Sequence, residues 1–158
     1  MVPGAGKQIE CLFYKMVLRG VYSVVIPTRF LTLLAHFFIL VCLLWDKEEN
    51  LRLCLLKYDA EYAGYFHNEY VISLALSLTS VAFEFFGFLC GISMFSELHS
   101  LLSIVCHTVA AFMWSISYIE QWDCSSPYSW YLLIFCSVLP LTSEFAVFIG
   151  FIRRANLR

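Results

Sequence analysis

Residues Val71–Phe95 read VISLALSLTSVAFEFFGFLCGISMF. The run is long enough to cross a bilayer, since about 20 apolar residues rising 1.5 Å each span the hydrocarbon. Its small and polar residues fall in order. Ser73, Ser77, Ser80, Glu84, Gly87 and Gly91 follow one another at intervals of four, three, four, three and four. That spacing draws one stripe down a helix that packs on its partners with a slight left-handed supercoil. Leu, Val, Ile and Phe fill the other faces and point at lipid. An anchor alone has no use for such a stripe, so this helix is expected to sit against other helices.

Working outward, three further apolar runs match it. The expected spans are about 27–45, 71–95, 99–119 and 130–152, which together make an all-α integral membrane protein, a four-helix transmembrane bundle occupying 27–152. The totals agree: of 158 residues 61% are hydrophobic and 14% charged, with mean hydropathy +0.77, far from a soluble domain. A net charge of −2 gives no reason to expect nucleic acid as a partner. Fifteen Phe, nine Tyr and four Trp suit helix packing and interfacial anchoring.

Residues 1–26 mix Lys7, Lys15 and Arg19 with apolar residues and read as a cytosolic tail. Met16 is a second candidate start within it. In span one, Pro27 suits a first-turn position, Arg29 is placed to snorkel to the headgroups, and Thr28, Thr32 and His36 form an i, i+4 row. The segment from Asp46 to Glu69 is the most polar and reads either as a short interfacial helix or as a solvated loop. Span four contains Pro140 and Glu144, and the chain closes on the basic tail 153–158. Pro140 cannot donate to the Cys136 carbonyl, so a bend is expected one turn before Glu144. Lys7, Lys15, Arg19, Arg29, Arg153, Arg154 and Arg158 all fall on one side of the four spans, against Lys47, Arg52 and Lys57 on the other. Both termini are therefore expected in the cytosol, with Trp45, Tyr70, Tyr118, Trp122, Trp130 and Tyr131 marking the opposite boundary.

Cys54 and Cys124 are the two of the seven cysteines that this topology puts in the outer loops. An oxidising compartment favours a Cys54–Cys124 bridge tying those loops together, and the alternative is two free thiols. Gly87-x-x-x-Gly91 and Ala146-x-x-x-Gly150 permit close helix contact. His36, Glu84, His107 and Glu144 occur one per span, each on the order of 10–14 Å inside the cytosolic boundary at 1.5 Å per residue. Ionisable groups at that depth should face the bundle and find partners. Three readings follow: polar glue between helices, a proton or ion relay, and a divalent metal site. Glue is preferred, because no further polar residues lead from the four to either surface. No motif for a catalytic or cofactor site occurs, and no C-x-x-C, H-E-x-x-H or G-x-S-x-G is present.

The chain resembles the transmembrane protein 107 family. The resemblance is carried by Pro27-Thr28-Arg29-Phe30-Leu31-Thr32-Leu33-Leu34-Ala35-His36, by Glu84 with Gly87-Phe88-Leu89-Cys90-Gly91-Ile92-Ser93-Met94-Phe95, and by Ser100-Leu101-Leu102-Ser103-Ile104 with His107. Trp122-Asp123-Cys124 and Phe135-Cys136-Ser137-Val138-Leu139-Pro140 with Glu144 continue it. It implies a non-enzymatic, four-span protein of the ciliary transition zone. By that resemblance the partners are tectonics and other proteins of the Meckel-syndrome module, along with membrane lipids. The implied role is to help build the barrier that sets ciliary membrane composition, on which ciliogenesis and hedgehog signalling depend. The alternative from the residues alone is a small proton- or ion-coupled transporter or channel using the intramembrane His/Glu cluster.

Overall fold

The structure is a computed structural model and describes residues 5–56, 60–91, 93–94, 96–120 and 128–156. Its helices are α1 (Ala5–Trp45), α2 (Lys47–Leu55), α3 (Ala60–Leu89), α4 (Glu97–Glu120), α5 (Tyr128–Leu133) and α6 (Leu139–Asn156). A π-helical turn, Ile134–Val138, joins α5 to α6, so these last two form one rod. Among the described residues, four stretches are long and apolar enough to cross a membrane: Gly20–Trp45, Tyr62–Leu89, Glu97–Glu120 and Tyr128–Asn156. The protein is a four-helix multi-pass membrane bundle.

The spans alternate in direction. Arg29 meets Ser93 and His99, His36 meets His107, Asp46 meets Tyr118 and Tyr70 meets Trp114, so positions pair in register from one end of the bundle to the other. That is the up-down-up-down arrangement that short connections impose. α1 packs against α3 and α4, and the α5–α6 rod packs against the same two helices. Each span buries one stripe at three- and four-residue spacing. On α1 it is Arg29, Leu33, His36, Leu40 and Leu43; on α4 it is Ser100, Ser103, His107, Ala110, Trp114 and Ser117. Large apolar residues such as Phe83, Phe86, Val105, Phe112 and Phe135 are exposed instead. An apolar outside around a polar inside is what a hydrocarbon solvent selects.

The interior divides by height. Leu40, Leu43, Leu74, Trp114, Leu132 and Leu133 pack at one end, with Tyr70 edge-on to Trp114 at a centroid distance of 6.0 Å. Asn50 on α2 donates to the Tyr70 hydroxyl at 2.6 Å and Leu51 is buried beside it. Within the polar segment after span one, 47–55 form α2 and 60–69 the start of α3, with Tyr62 and Tyr65 belonging to α3 itself. At the other end most buried side chains are polar, with Leu33, Val81 and Phe88 packed among them.

Three local expectations are corrected. Pro27 lies inside α1, which begins well before it, so its missing N–H interrupts a continuing helix. Arg29 does not snorkel: it is 0% exposed, because interior acceptors surround it. Helix α3 stops at Leu89, before the expected end of its span. Gly91 takes φ +73°, with its N–H on the Phe88 carbonyl at 3.0 Å, a left-handed conformation that glycine enters without steric cost and that closes a helix. Gly91 therefore turns the chain and is no part of a packing stripe. The expected proline bend coincides with the π-turn, where the Leu139 N–H reaches back to the Ile134 carbonyl.

The two glycines make a clean contrast. Gly91→Ala, forced to a left-handed backbone, is expected to lose about 1–2 kcal/mol of thermal stability in detergent. Gly150→Ala, whose added Cβ meets open space, should leave the melting temperature unchanged or slightly raised.

Candidate functional site

The polar end of the interior is built from all four spans. α1 contributes Arg29 and His36, α3 Glu84, α4 His99, Ser100, Ser103 and His107, and α6 Ser143 and Glu144, with Ser93 from the α3–α4 turn. The Arg29 guanidinium is its centre. Nε donates to Ser103 Oγ at 3.3 Å, and Nη1 to the Ser93 carbonyl at 3.1 Å and Ser100 Oγ at 3.4 Å. Nη2 reaches Ser93 Oγ at 3.2 Å and pairs with Glu144 Oε2 at 3.1 Å. The Phe88 ring covers the cation, its centroid 5.3 Å from Cζ. Every nitrogen of a group that cannot be deprotonated is therefore engaged, which is what burial at this depth demands.

Beside this node stands His99. Ser143 Oγ donates to the Pro140 carbonyl at 2.7 Å, so the His99 Nδ1–H donates to Ser143 at 2.7 Å. His99 Nε2 then lies 2.5 Å from Glu144 Oε2 and 2.6 Å from Arg29 Nη2. A protonated Nε2 serves the carboxylate and a bare one accepts from the guanidinium, so it answers one neighbour at a time.

The second node contains His36, His107 and Glu84, each 0% exposed. With Glu84 ionised, one proton assignment fits its contacts. Ser103 accepts from Arg29 and turns its own hydroxyl to Glu84 Oε2 at 3.5 Å. His107 Nε2–H donates to the same oxygen at 3.0 Å, and its bare Nδ1 accepts from His36 Nδ1–H at 2.8 Å. His36 Nε2 and Glu84 Oε1 are left without partners in the interior. Ser103 is the bridge, so the two nodes form one hydrogen-bonded chain across the bundle.

The four ionisable residues expected at one depth are thus divided: His36, Glu84 and His107 meet directly, while Glu144 joins Arg29 and His99. Among the described residues, no group of three His, Cys, Asp or Glu is placed to hold a metal ion. Arg29 is expected at the headgroups and His99 only as the first residue of span three, so neither is anticipated in the interior network. A signal was present: Arg29 lies seven residues before His36, and His99 eight before His107, so each shares its helix's inward stripe.

The small residues separate in the same way. Ser73, Ser77 and Ser80 are buried, Ser73 and Ser80 bonding carbonyls of their own helix while Ser77 Oγ has no partner. Gly87 receives Glu144: a Cβ there would overlap the Glu144 Oε1 atom, so the glycine is the slot through which the carboxylate reaches Arg29. Ala146 is exposed and the space beside Gly150 is open, so that pair makes no close contact inside the bundle. Cys124 and the Cys54 side chain lie outside the described residues.

Fold and interior define a class: a small multi-pass membrane protein whose spans are tied by a buried ionic and hydrogen-bonded network. A family profile described as TMEM107, Transmembrane protein, matches residues 25–148. Transmembrane protein 107 of Rattus norvegicus is 43% identical over 132 residues, covering 83% of this chain and 93% of the relative. The Homo sapiens protein of that name is 38% identical over 131 residues, covering 82% and 92%, and the Danio rerio one 32% over 120 residues, covering 75% and 87%. The chain belongs to the TMEM107 family. No solved structure matches it.

The Arg29–Glu144 pair should behave as a buried pair does. Removing one partner, as in Arg29→Met or Glu144→Leu, is expected to cost about 3–5 kcal/mol in detergent unfolding. The double variant should recover much of that loss, because neither charge is then stranded. Additive losses in this double-mutant cycle would show that the pair contributes no coupling.

Proposed function

We propose that the protein is a non-enzymatic scaffold subunit of the ciliary transition-zone membrane. In this reading it associates laterally with tectonics and other Meckel-syndrome-module proteins, and helps form the barrier controlling ciliary membrane composition, ciliogenesis and hedgehog signalling. Family membership supports the setting through the resemblance described above. Both termini face the cytosol in this reading, as the Lys/Arg distribution favours. The carrying observation is structural: the polar groups of the four spans bond mainly to one another, while α6 presents Ala146 and Gly150 outward. Internal bonding gives a stiff bundle, and a close-approach pair on its outside suits a neighbouring helix.

Gly87 is a poor place to test this, since bulk there displaces Glu144. Gly150→Leu is the better variant. It should reduce co-purification of transition-zone membrane proteins and localisation to the cilium base at least severalfold, with an unchanged melting temperature. Full retention of both would refute lateral association through α6.

One observation favours a second reading, proton- or ion-coupled transport: His36 Nε2 and Glu84 Oε1 lie unpartnered at one end of a chain of exchangeable protons. That reading requires pH-driven flux in liposomes containing the purified protein, lost in Glu84→Gln. A wild-type protein without flux under a proton gradient removes it. The scaffold is preferred because Arg29, the best proton-blocking charge available, sits saturated in the middle of the same chain.

A further inference from the structure

Away from the polar network, the outer faces of α1 and α4 enclose a cleft of about 450 Å³ that opens toward lipid. Leu43 and Trp114 are its buried lining, the small residues Cys42 and Ser115 line it with Phe38 and Ile119, and Asp46 and Tyr118 contribute its polar groups. The Tyr118 hydroxyl donates to Asp46 Oδ2 at 2.9 Å, joining the two helices there. Ile39 and Ser115 also line a second depression of about 440 Å³, which carries the furrow on past Ala35 and Ala111.

The hydroxyls along the furrow are turned inward. Ser115 donates to the Ala111 carbonyl at 2.7 Å, Thr108 to Ile104 at 2.7 Å, Thr32 to Arg29 at 3.1 Å and Thr28 to Val24 at 2.8 Å. With those protons held by their own helices, the cleft is apolar along its length. The exception is its Asp46 end, beside Trp45, which is 90% exposed at a position suited to the headgroup boundary. A carboxylate accepts more hydrogen bonds than the one Tyr118 supplies.

An occupant that suits this lining is apolar through most of its length and carries a hydrogen-bond donor at the headgroup level. A phosphate headgroup is the wrong charge for Asp46. A rigid ring system fills a cleft of this size while losing little conformational entropy, unlike a flexible acyl chain. The volume is within the usual range of small-molecule sites, which combine an apolar lining with a few convergent polar groups. We propose that this cleft binds a membrane sterol, its rings between α1 and α4 and its hydroxyl donating to Asp46.

The test uses the full chain in phospholipid nanodiscs with two photoreactive sterols carrying a ring diazirine, one with a free 3-hydroxyl and one as its 3-methyl ether. Saturable labelling by the hydroxyl probe is expected within residues 38–46 and 114–119, and Cys42→Phe, which fills the slot, should abolish it. Asp46→Ala should weaken the hydroxyl probe about tenfold, the worth of one charge-assisted hydrogen bond, and leave the ether unchanged. Helical content and elution volume establish that each variant is folded; if Cys42→Phe is not, the Asp46→Ala comparison of the two probes decides. Labelling spread evenly onto outward residues of α3 such as Phe83 and Phe86, or equal weakening of both probes by Asp46→Ala, overturns the proposal. Displacement of the sterol by a phospholipid with a photoreactive acyl chain at equal concentration also overturns it. So does sterol-insensitive disulfide capture of the free Cys42 thiol by another polypeptide, which assigns the cleft to a helix.

Discussion

A guanidinium inside a bilayer has no water to hydrogen-bond, and it cannot shed its charge. Everything at the polar end of this bundle follows from meeting that demand for Arg29. Three nitrogens require acceptors from several directions at once, and no single helix supplies them. Ser93 comes from the α3–α4 turn, Ser100 and Ser103 from α4, and Glu144 from α6 across the bundle. Once Arg29 is satisfied, the relative rotation and height of α1, α4 and α6 are largely determined. α3 is drawn in through Glu84, which takes the Ser103 hydroxyl and the His107 imidazole.

Such a network is a weak source of net stability and a strong source of specificity. Desolvating the charges opposes most of the attraction between them. Any other arrangement of the same spans would leave a cation or a carboxylate bare in hydrocarbon, which is far worse. Apolar faces alone cannot choose among rotations, because lipid is as apolar as leucine. The division of the interior makes sense in these terms: leucines and aromatics fill one end by shape, while the charged end selects a unique register. Gly87 belongs to that selection, for the carboxylate of Glu144 needs the volume a side chain would occupy.

Span number and inward stripes are legible in the residues because both follow from the solvent. Hydrocarbon thickness fixes the length of the apolar runs, and the three-four spacing from Ser73 to Glu84 survives intact as the buried face of α3. Where the reading of the chain falls short, local rules meet tertiary context. Arg29 is near enough to a span's end to reach the headgroups, so only the acceptors brought by three other segments reveal that it turns inward. Gly91 continues the periodicity perfectly, yet backbone torsion places it beyond the helix end. Ala146 and Gly150 match a packing motif, yet Ala146 is exposed and among the described residues nothing approaches a Cβ at Gly150. Pro140 announces an irregularity without saying which kind, and the residues before it do not distinguish a simple bend from a turn with one residue inserted.

That turn has a consequence for how length is constrained. Within a helix the number of residues sets an angle as well as a distance, about 100° for each position. By closing a wider ring between Ile134 and Leu139, the fourth rod gains one position without gaining a face. Leu133 above it, Ser137 within it and Pro140 and Glu144 below it are all buried, so the inward face continues through the turn. Connecting loops tolerate gain or loss of a residue cheaply; this segment works as a dial, and its setting decides whether the last carboxylate looks at arginine or at lipid.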